Sequence, residues 1–450
     1  MVIERSSMKK VLLFSLLLIA GLVGSQIFPG LIGSDYDKVA DVIRVLTMIG
    51  LSFIMIHVGY EFDIDKNNLK QYGWDYFVAF TAASFPWIFV TLYFVFVLLP
   101  PETWGQLKAW KETLLAGRFA APTSAGVLFS MLAAAGLSAT WLFRKARVLA
   151  IFDDLDTVLL MVPLKMMMVG LAWQLGIIVG VMAVMLVIAF IFLHRVRIPV
   201  SWPWVLSYSA AIAFISEFIY QGSKVIDETV PIHIEVLLPA FVLGTIIAYP
   251  PGSNPHVDDA REGHQEGPES ATEQKVSTIV SAAFMVLVGL SMPAVLGGDE
   301  KHDPSADSTV LVAETADARA EAGAVGAKAT LGTITSSQPA MSWGMIGLHV
   351  LVVTFLSNLG KMFPAFCYRK EAHWKERMAL AIGMWPRGEV GAGVLVVSIS
   401  YGIGGPVVTI AMLSLALNLL LTGLFILVVK KLLRGAEEAK ASSSLSVVSC

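Results

Sequence analysis

The segment Val148-Leu149-Ala150-Ile151-Phe152-Asp153-Asp154-Leu155-Asp156-Thr157-Val158-Leu159-Leu160-Met161 sets three carboxylates in the middle of an apolar run. The run lies in a block, 147–169, of about the length that crosses a bilayer core. Similar blocks occupy 10–28, 39–60, 74–99, 114–136, 173–195, 202–221, 232–249, 276–297, 343–368, 378–401 and 404–433. The 450-residue chain is 56% hydrophobic and only 15% charged, with a mean hydropathy of +0.71. Soluble domains carry about 25% charge, and their cores have no need of such blocks. The pattern predicts an all-α polytopic membrane protein of about twelve transmembrane helices.

The segments between blocks give the orientation. With the N-terminus in the cytoplasm, twenty Lys and Arg fall in cytoplasmic segments. Eight fall in outer ones: Lys38, Lys108, Lys111, Arg118, Lys224, Lys301, Arg319 and Lys328. That bias predicts an even number of spans in a cell (inner) membrane, with both termini cytoplasmic. The first block follows Arg5, Lys9 and Lys10. It is read as a helix and not a signal peptide, because Val11–Phe28 is long and no small-residue cleavage site follows. Residues 1–435 form the expected transmembrane domain, with a cytoplasmic loop at 250–275 and a long outer loop at 298–342. Residues 436–450 are a polar cytoplasmic tail. The net charge of -3 suggests no nucleic-acid partner. Cys367 and Cys450 suggest neither a disulfide framework nor a zinc site. No Gly-Lys-Ser/Thr phosphate cradle is present, so ATP is not expected to drive the protein directly, and no cofactor is expected. No His-Glu-x-x-His is present and the aspartates crowd one helix, so an enzyme is not expected either.

Charge at the bilayer centre costs at least about 2.5–3.5 kcal/mol per residue and usually marks function. Arg44 and Lys165 stand near block ends, where their stems can snorkel to the interface. Lys361 sits deep in the tenth block, and Arg387 lies in the eleventh. On a helix Asp153 and Asp156 lie about 60° apart, and Asp154 points about 100° away from Asp153. Carboxylate oxygens suit hard monovalent cations and also take protons. Burial and like charges favour the protonated form, and a nearby ammonium favours the ionised one. Carboxylates beside one lysine can therefore hold a proton or a cation in competition, which is the chemistry of an exchanger.

Two helices read as broken. Ala121-Pro122-Thr123-Ser124-Ala125-Gly126 interrupts the fourth block and Pro386-Arg387-Gly388-Glu389-Val390-Gly391 the eleventh. Proline removes a hydrogen bond, and Thr and Ser supply replacement oxygens. Arg387 and Glu389 could pair with each other or neutralise half-helix ends. Two short matches suggest an inverted repeat seven helices apart. Met55-Ile56-His57-Val58-Gly59 resembles Met285-Val286-Leu287-Val288-Gly289, and Ala125-Gly126-Val127-Leu128 resembles Ala392-Gly393-Val394-Leu395. His57 and His349 read as packed or hydrogen-bonded histidines. Glu217 and Glu235 read as facing water at an interface, Trp202, Trp204, Tyr249 and Trp343 as interfacial belts, and Gly21 and Gly24 as helix packing.

In combination, Ala121-Pro122-Thr123-Ser124, Asp153-Asp154, Lys361 and Pro386-Arg387-Gly388-Glu389-Val390-Gly391 resemble the bacterial monovalent cation:proton antiporters, the sodium/proton exchanger superfamily. The resemblance covers about residues 10–433. It implies a core domain with two crossed, unwound helices and a separate dimerisation domain, hence a homodimer. It also implies that Asp154 binds the cation as its metal ligand and carries a proton. Asp153 would pair with Lys361 and join the cation site when the cation arrives. Thr123 and Ser124 would lie beside the aspartates at the stretch unwound by Pro122, and Arg387 and Glu389 would support the opposing unwound region. Two aspartates and a lysine imply electrogenic exchange of Na⁺ or Li⁺ for H⁺. Asp156 is an added acid with respect to the family pattern, and is counted with the ion- and proton-binding residues. K⁺/H⁺ exchange, sodium-coupled symport on the same fold and a non-transporting membrane sensor stay open as alternatives.

Overall fold

The computed structural model describes residues 2–33, 36–60, 62, 69–169, 173–226, 236–248, 271–292, 334–339 and 341–448. The helices are α1 (Val2–Ile32), α2 (Tyr36–Tyr60), α3 (Leu69–Tyr93, extended by a π-helical turn, Phe94–Leu98), α4 (Leu107–Gly117), α5 (Ala125–Ala134), α6 (Trp141–Val169), α7 (Trp173–Ile191), α8 (Trp202–Ile226), α9 (Leu237–Ile246), α10 (Ala271–Leu290), α11 (Trp343–Gly360), α12 (Trp374–Gly383), α13 (Glu389–Ser400) and α14 (Gly405–Val448). Among the described residues the only β pairing is an isolated bridge, Val196 to Ile247. Every predicted block falls on a helix, although 232–235 and 293–297 lie outside the described residues, as do Glu235, Tyr249 and most of both polar loops. Among the described residues six helices are long and apolar enough to cross a membrane: Lys9–Ile32, Lys38–Tyr60, Lys70–Leu98, Trp202–Ser223, Trp343–Cys367 and Gly405–Lys440. α6 is also long, at 29 residues, but carries the aspartates.

The fourth and eleventh blocks are each two half-helices. α4 tightens into a 3-10 turn, Arg118–Ala120, before Pro122. Ser124 then restarts the chain as the N-cap of α5, its Oγ accepting from the Val127 amide at 3.4 Å. α12 opens on a capping box between His373 and Glu376 and ends at Gly383; α13 begins six residues later at Glu389. α14 stays helical to Val448, so part of the polar tail continues the last helix.

Contacts occur in pairs that exchange under an inverted repeat. α1 crosses α10 where a Cβ on Gly21 would meet the Val286 carbonyl and the Gly289 Cα. α2 crosses α9 where a Cβ on Gly59 would meet the Phe241 carbonyl and the Gly244 Cα. Gly59 and Gly289 close the matched pentapeptides, so that sequence match is in structural register. At the breaks, Thr123 Oγ1 donates to the Met384 carbonyl at 3.1 Å and Arg387 Nε to the Ala120 carbonyl at 2.9 Å. Those two bonds set Pro122 opposite Pro386. The register is not the one that aligns Ala125-Gly126-Val127-Leu128 with Ala392-Gly393-Val394-Leu395, so that tetrapeptide match does not mark equivalent positions.

Other charges also find partners. Arg44 Nη2 bonds Glu217 Oε1 across α2 and α8 at 2.9 Å, so neither side chain acts alone at an interface. Lys145 Nζ sits 3.2 Å from Asp75 Oδ1 and 3.0 Å from Glu371 Oε2, and the Tyr368 hydroxyl donates to Asp75 at 2.7 Å. This network ties α3 and α6 to the loop after α11. The described end of the outer loop docks on α4: buried Glu112 accepts from the Ile334 and Thr335 amides at 3.2 and 2.9 Å and from Thr335 Oγ1 at 3.0 Å.

The close crossings predict that Gly59→Val lowers the thermal unfolding midpoint of the detergent-solubilised protein sharply. Overpacking a core costs about 1–3 kcal/mol, and here the obstacle is backbone. Gly176→Ala, where a Cβ meets nothing, should leave the midpoint in place; equal effects of the two changes would refute the crossing.

Candidate functional site

The two breaks lie against each other, with the middle of α6 and the end of α11 beside them. The Ser124 amide donates to the Pro386 carbonyl at 2.9 Å. Each break thereby supplies partners for backbone groups that its neighbour's unwinding leaves open. Pro122, Thr123 and Ser124 are buried in this crossing.

Asp153 Oδ2 accepts from the Thr123 amide at 2.8 Å and from Lys361 Nζ at 2.7 Å. Both ends of the Asp153–Lys361 ion pair are fully buried. Lys361 is the C-cap residue of α11, where the helix end favours a cation. Asp154 is buried at 5% exposure on the next step of α6. Asp156 Oδ1 accepts from the Tyr76 hydroxyl of α3 at 2.9 Å. Asp153 Oδ1 and Asp156 Oδ2 have no hydrogen-bond partner among the described residues. Thr157 bonds back to the Asp153 carbonyl at 2.8 Å. The three aspartates do not converge as one cage: among the described residues no group of three or more His, Cys, Asp or Glu is arranged to hold a metal ion. Successive positions on one helix point in different directions, so α6 sends Asp156 to α3 and Asp153 to the break before α5 and the end of α11.

Arg387 is fully buried and among the described residues makes four bonds, none to a carboxylate. Its Nε reaches the Ala120 carbonyl, Nη1 reaches Asn358 Oδ1 at 2.7 Å and the Trp385 carbonyl at 3.0 Å, and Nη2 reaches the Ser357 carbonyl at 2.9 Å. It thus binds the carbonyl ends of α4 and α11, where a cation opposes the helix dipole. Asn358 in turn donates to Asn418 of α14 at 3.0 Å. Glu389 begins α13, and its side chain lies outside the described residues.

Three participants escape the sequence reading. By sequence Arg118 falls with the outer charges, but it is fully buried; its position four residues before Pro122, within the fourth block, is the available signal. Its Nη2 donates to the Asp156 backbone carbonyl at 2.9 Å and its guanidinium stacks 4.9 Å from the Trp87 ring centre. Tyr76 gave no signal, since phenols are common at helix ends in membranes. Asn358 stands one helical turn before Lys361, and only the fold shows that it faces Arg387. His57 bonds to the Phe53 carbonyl within its own helix and His349 to the Tyr93 hydroxyl, so neither joins the site.

The family model "Sodium/hydrogen exchanger, transmembrane" matches residues 6–431. No curated protein sequence is similar enough to count as a match. Among solved structures, the sodium proton antiporter MjNhaP1 from Methanocaldococcus jannaschii, determined at pH 8, aligns over 91% of this chain and 92% of its own, with a TM-score of 0.50 and 14% sequence identity. At that identity the likeness concerns the fold.

Arg387→Ala would orphan buried carbonyls at two helix ends, each at a cost of roughly 1–3 kcal/mol. The variant should unfold well below the parent in a thermal melt, with Arg387→Lys in between because an ammonium cannot reach all four acceptors. A Lys variant as stable as the parent would show that the fork geometry is dispensable.

Proposed function

The chain belongs to the transmembrane sodium/hydrogen exchanger family, and from that premise we propose that it is a secondary active antiporter that exchanges Na⁺ or Li⁺ for protons by alternating access. The observation that carries the proposal is the fully buried Asp153–Lys361 pair beside Asp154, at the crossing of two broken helices. A buried ion pair is weak evidence for a stability role, because desolvation offsets its attraction. It does suit a site whose occupant is meant to change. With the site empty, the ammonium of Lys361 satisfies Asp153. A cation arriving at Asp154 offers Asp153 a second partner, and the site then trades positive charges held on Lys361 or the carboxylates for the cation. Thr123 and Ser124 supply oxygens and a cap at the break, while Asp156 belongs to the same ion- and proton-handling group.

In this reading α3–α6 and α11–α14 form a core that moves against a scaffold containing α1, α2 and α8–α10. The glycine crossings support a stiff scaffold, and the crossed breaks and Arg387 support a core that moves as one piece. Twelve crossings, cytoplasmic termini, a homodimer built on the scaffold and electrogenic exchange complete the proposal. The proton gradient drives the cycle, and no cofactor takes part.

Everted membrane vesicles from an antiporter-deficient host test it. Na⁺ and Li⁺ should dissipate a preformed pH gradient and K⁺ should not; a response to K⁺ alone would move the substrate assignment. Asp154→Asn should abolish exchange without loss of membrane insertion, and retained exchange would remove Asp154 from the site. In proteoliposomes the parent's exchange rate should respond to an imposed membrane potential. Lys361→Met should lose most of that response, and an unchanged potential dependence in the variant would exclude Lys361 from charge coupling.

A further inference from the structure

We propose that His194 is a pH-operated clip: its protonated ring ties the end of α2 to the joint between α7 and α9, and loss of the ring proton releases that tie. His194 lies in the turn after α7, and both of its ring nitrogens face backbone carbonyls. Nδ1 is 2.9 Å from the Ile247 oxygen, just past α9, and Nε2 is 3.0 Å from the Phe62 oxygen, just past α2. A carbonyl only accepts, and a neutral imidazole has one N–H to donate. In the neutral ring, one of the two contacts therefore sets a lone pair against a lone pair. The imidazolium, with two N–H groups, satisfies both. Three helices end around this ring, and helix C-termini favour a cation. His194 is half-buried. Among the described residues it is the one non-glycine residue with a left-handed backbone, at φ 52°, a conformation kept where the surroundings impose it.

The two contacts are not equally replaceable. On the Ile247 side the backbone also holds. The His194 amide donates to the Thr245 carbonyl at 2.9 Å, the Val196 amide to the Ile246 carbonyl at 2.9 Å and the Ala248 amide to the Val196 carbonyl at 2.8 Å. Among the described residues the turn reaches the Phe62 carbonyl through Nε2 alone. Whichever N–H is lost, the backbone bonds keep the joint, so it is the ring that swings and the Phe62 tie that opens. The charged groups nearby are few. α7 and α9 carry no charged side chain. The turn itself carries the exposed Arg195 and Arg197. The end of α2 brings Tyr60 and His57, the latter bonded to the Phe53 carbonyl. Glu61, Asp63, Asp65 and Lys66 flank Phe62 in sequence and lie outside the described residues. Phe62 opens the connection from α2, in the proposed scaffold, to α3, in the proposed core, and in the proposed topology this end faces the cytoplasm. The effect on exchange rests on that reading. Pinning the chain at Phe62 shortens the tether on the core, and release lengthens it. An acid cytoplasm then restrains the core, and an alkaline one frees it.

The test combines nitrogen NMR of isotope-labelled histidine with thermal melts of the full-length protein from about pH 5 to about pH 8, the range in which imidazoles change charge. The signal missing from His194→Leu assigns the ring. Both nitrogens of His194 should carry a proton at the acid end and only one at the alkaline end. His194→Leu should lower the melting midpoint more at the acid end, because the second bond is present at low pH and lost as pH rises. A merely structural histidine would cost the same at both ends. In proteoliposomes with the cytoplasmic-side pH varied, His194→Leu should exchange Na⁺ for H⁺ severalfold faster than the parent at the acid end and match it at the alkaline end. His194→Arg keeps its donors at every pH, so it should match the parent at the acid end and fall severalfold behind at the alkaline end. A His194 ring that holds one charge state across the range would overturn the inference, as would variant-to-parent rate ratios that do not change with pH. Should His194→Leu fail to fold, His194→Arg supplies both the assignment and the rate comparison. A ring that titrates as expected in a protein that exchanges nothing would sink the antiporter reading and leave the clip standing.

Discussion

The need to hold charge away from water and lipid governs the structure. Arg118, Asp153, Asp154, Asp156, Lys361 and Arg387 are all 5% exposed or less. Each such ion, stripped of water, costs several kcal/mol even after relaxation. Opposite charge answers part of that cost, and open backbone answers the rest. An intact helix has no spare carbonyl or amide in its middle, and a broken one has several. The amide of Thr123, which meets Asp153, and the carbonyl of Ala120, which meets Arg387, are available because the chain is unwound between α4 and α5.

The same requirement separates the parts of the fold. Around the breaks the contacts are polar and directional. Away from them, α1 against α10 and α2 against α9 rely on glycine and backbone contact, with no charge involved. Lipid tails give apolar helices no hydrophobic reason to associate with each other, so close backbone approach at small residues is an effective substitute. The result is one region built for fixed packing and another whose bonds depend on charge, and that difference is what a relative movement of the two would need.

Most of the fold was legible because bilayer thickness imposes a length on each apolar block, and prolines with neighbouring hydroxyls marked the breaks. The aspartates and Lys361 were legible because charge inside an apolar run demands an explanation. Arg118 was missed for the opposite reason: it stands near a block end, where an arginine reads as a loop residue, and only the 3-10 turn at Arg118–Ala120 shows that the chain has already entered the interior. Tyr76 and Asn358 were invisible because hydroxyls and amides carry no desolvation penalty large enough to stand out in composition. The repeat was half legible. The glycine that ends Met55–Gly59 has a steric duty shared with Gly289, so the match survives in three dimensions. Ala125–Leu128 has no such shared duty, and its likeness to Ala392–Leu395 is not a structural equivalence.

The cations also divide by chemistry. Arg387 spreads a planar fork over four acceptors from three chain segments, and losing one contact would leave the others in place. Lys361 presents a compact ammonium with, among the described residues, a single hydrogen bond, to Asp153. A rigid multidentate donor suits a joint that must persist through a cycle, and a point charge on a flexible stem suits a partner that can be displaced. Exchanging the two residue types would put the multidentate bond where the proposed exchange cycle calls for release and the single one where it calls for the helix ends to stay joined. The placement of arginine at the crossing and lysine at the carboxylate therefore matches what the proposed cycle asks of each position.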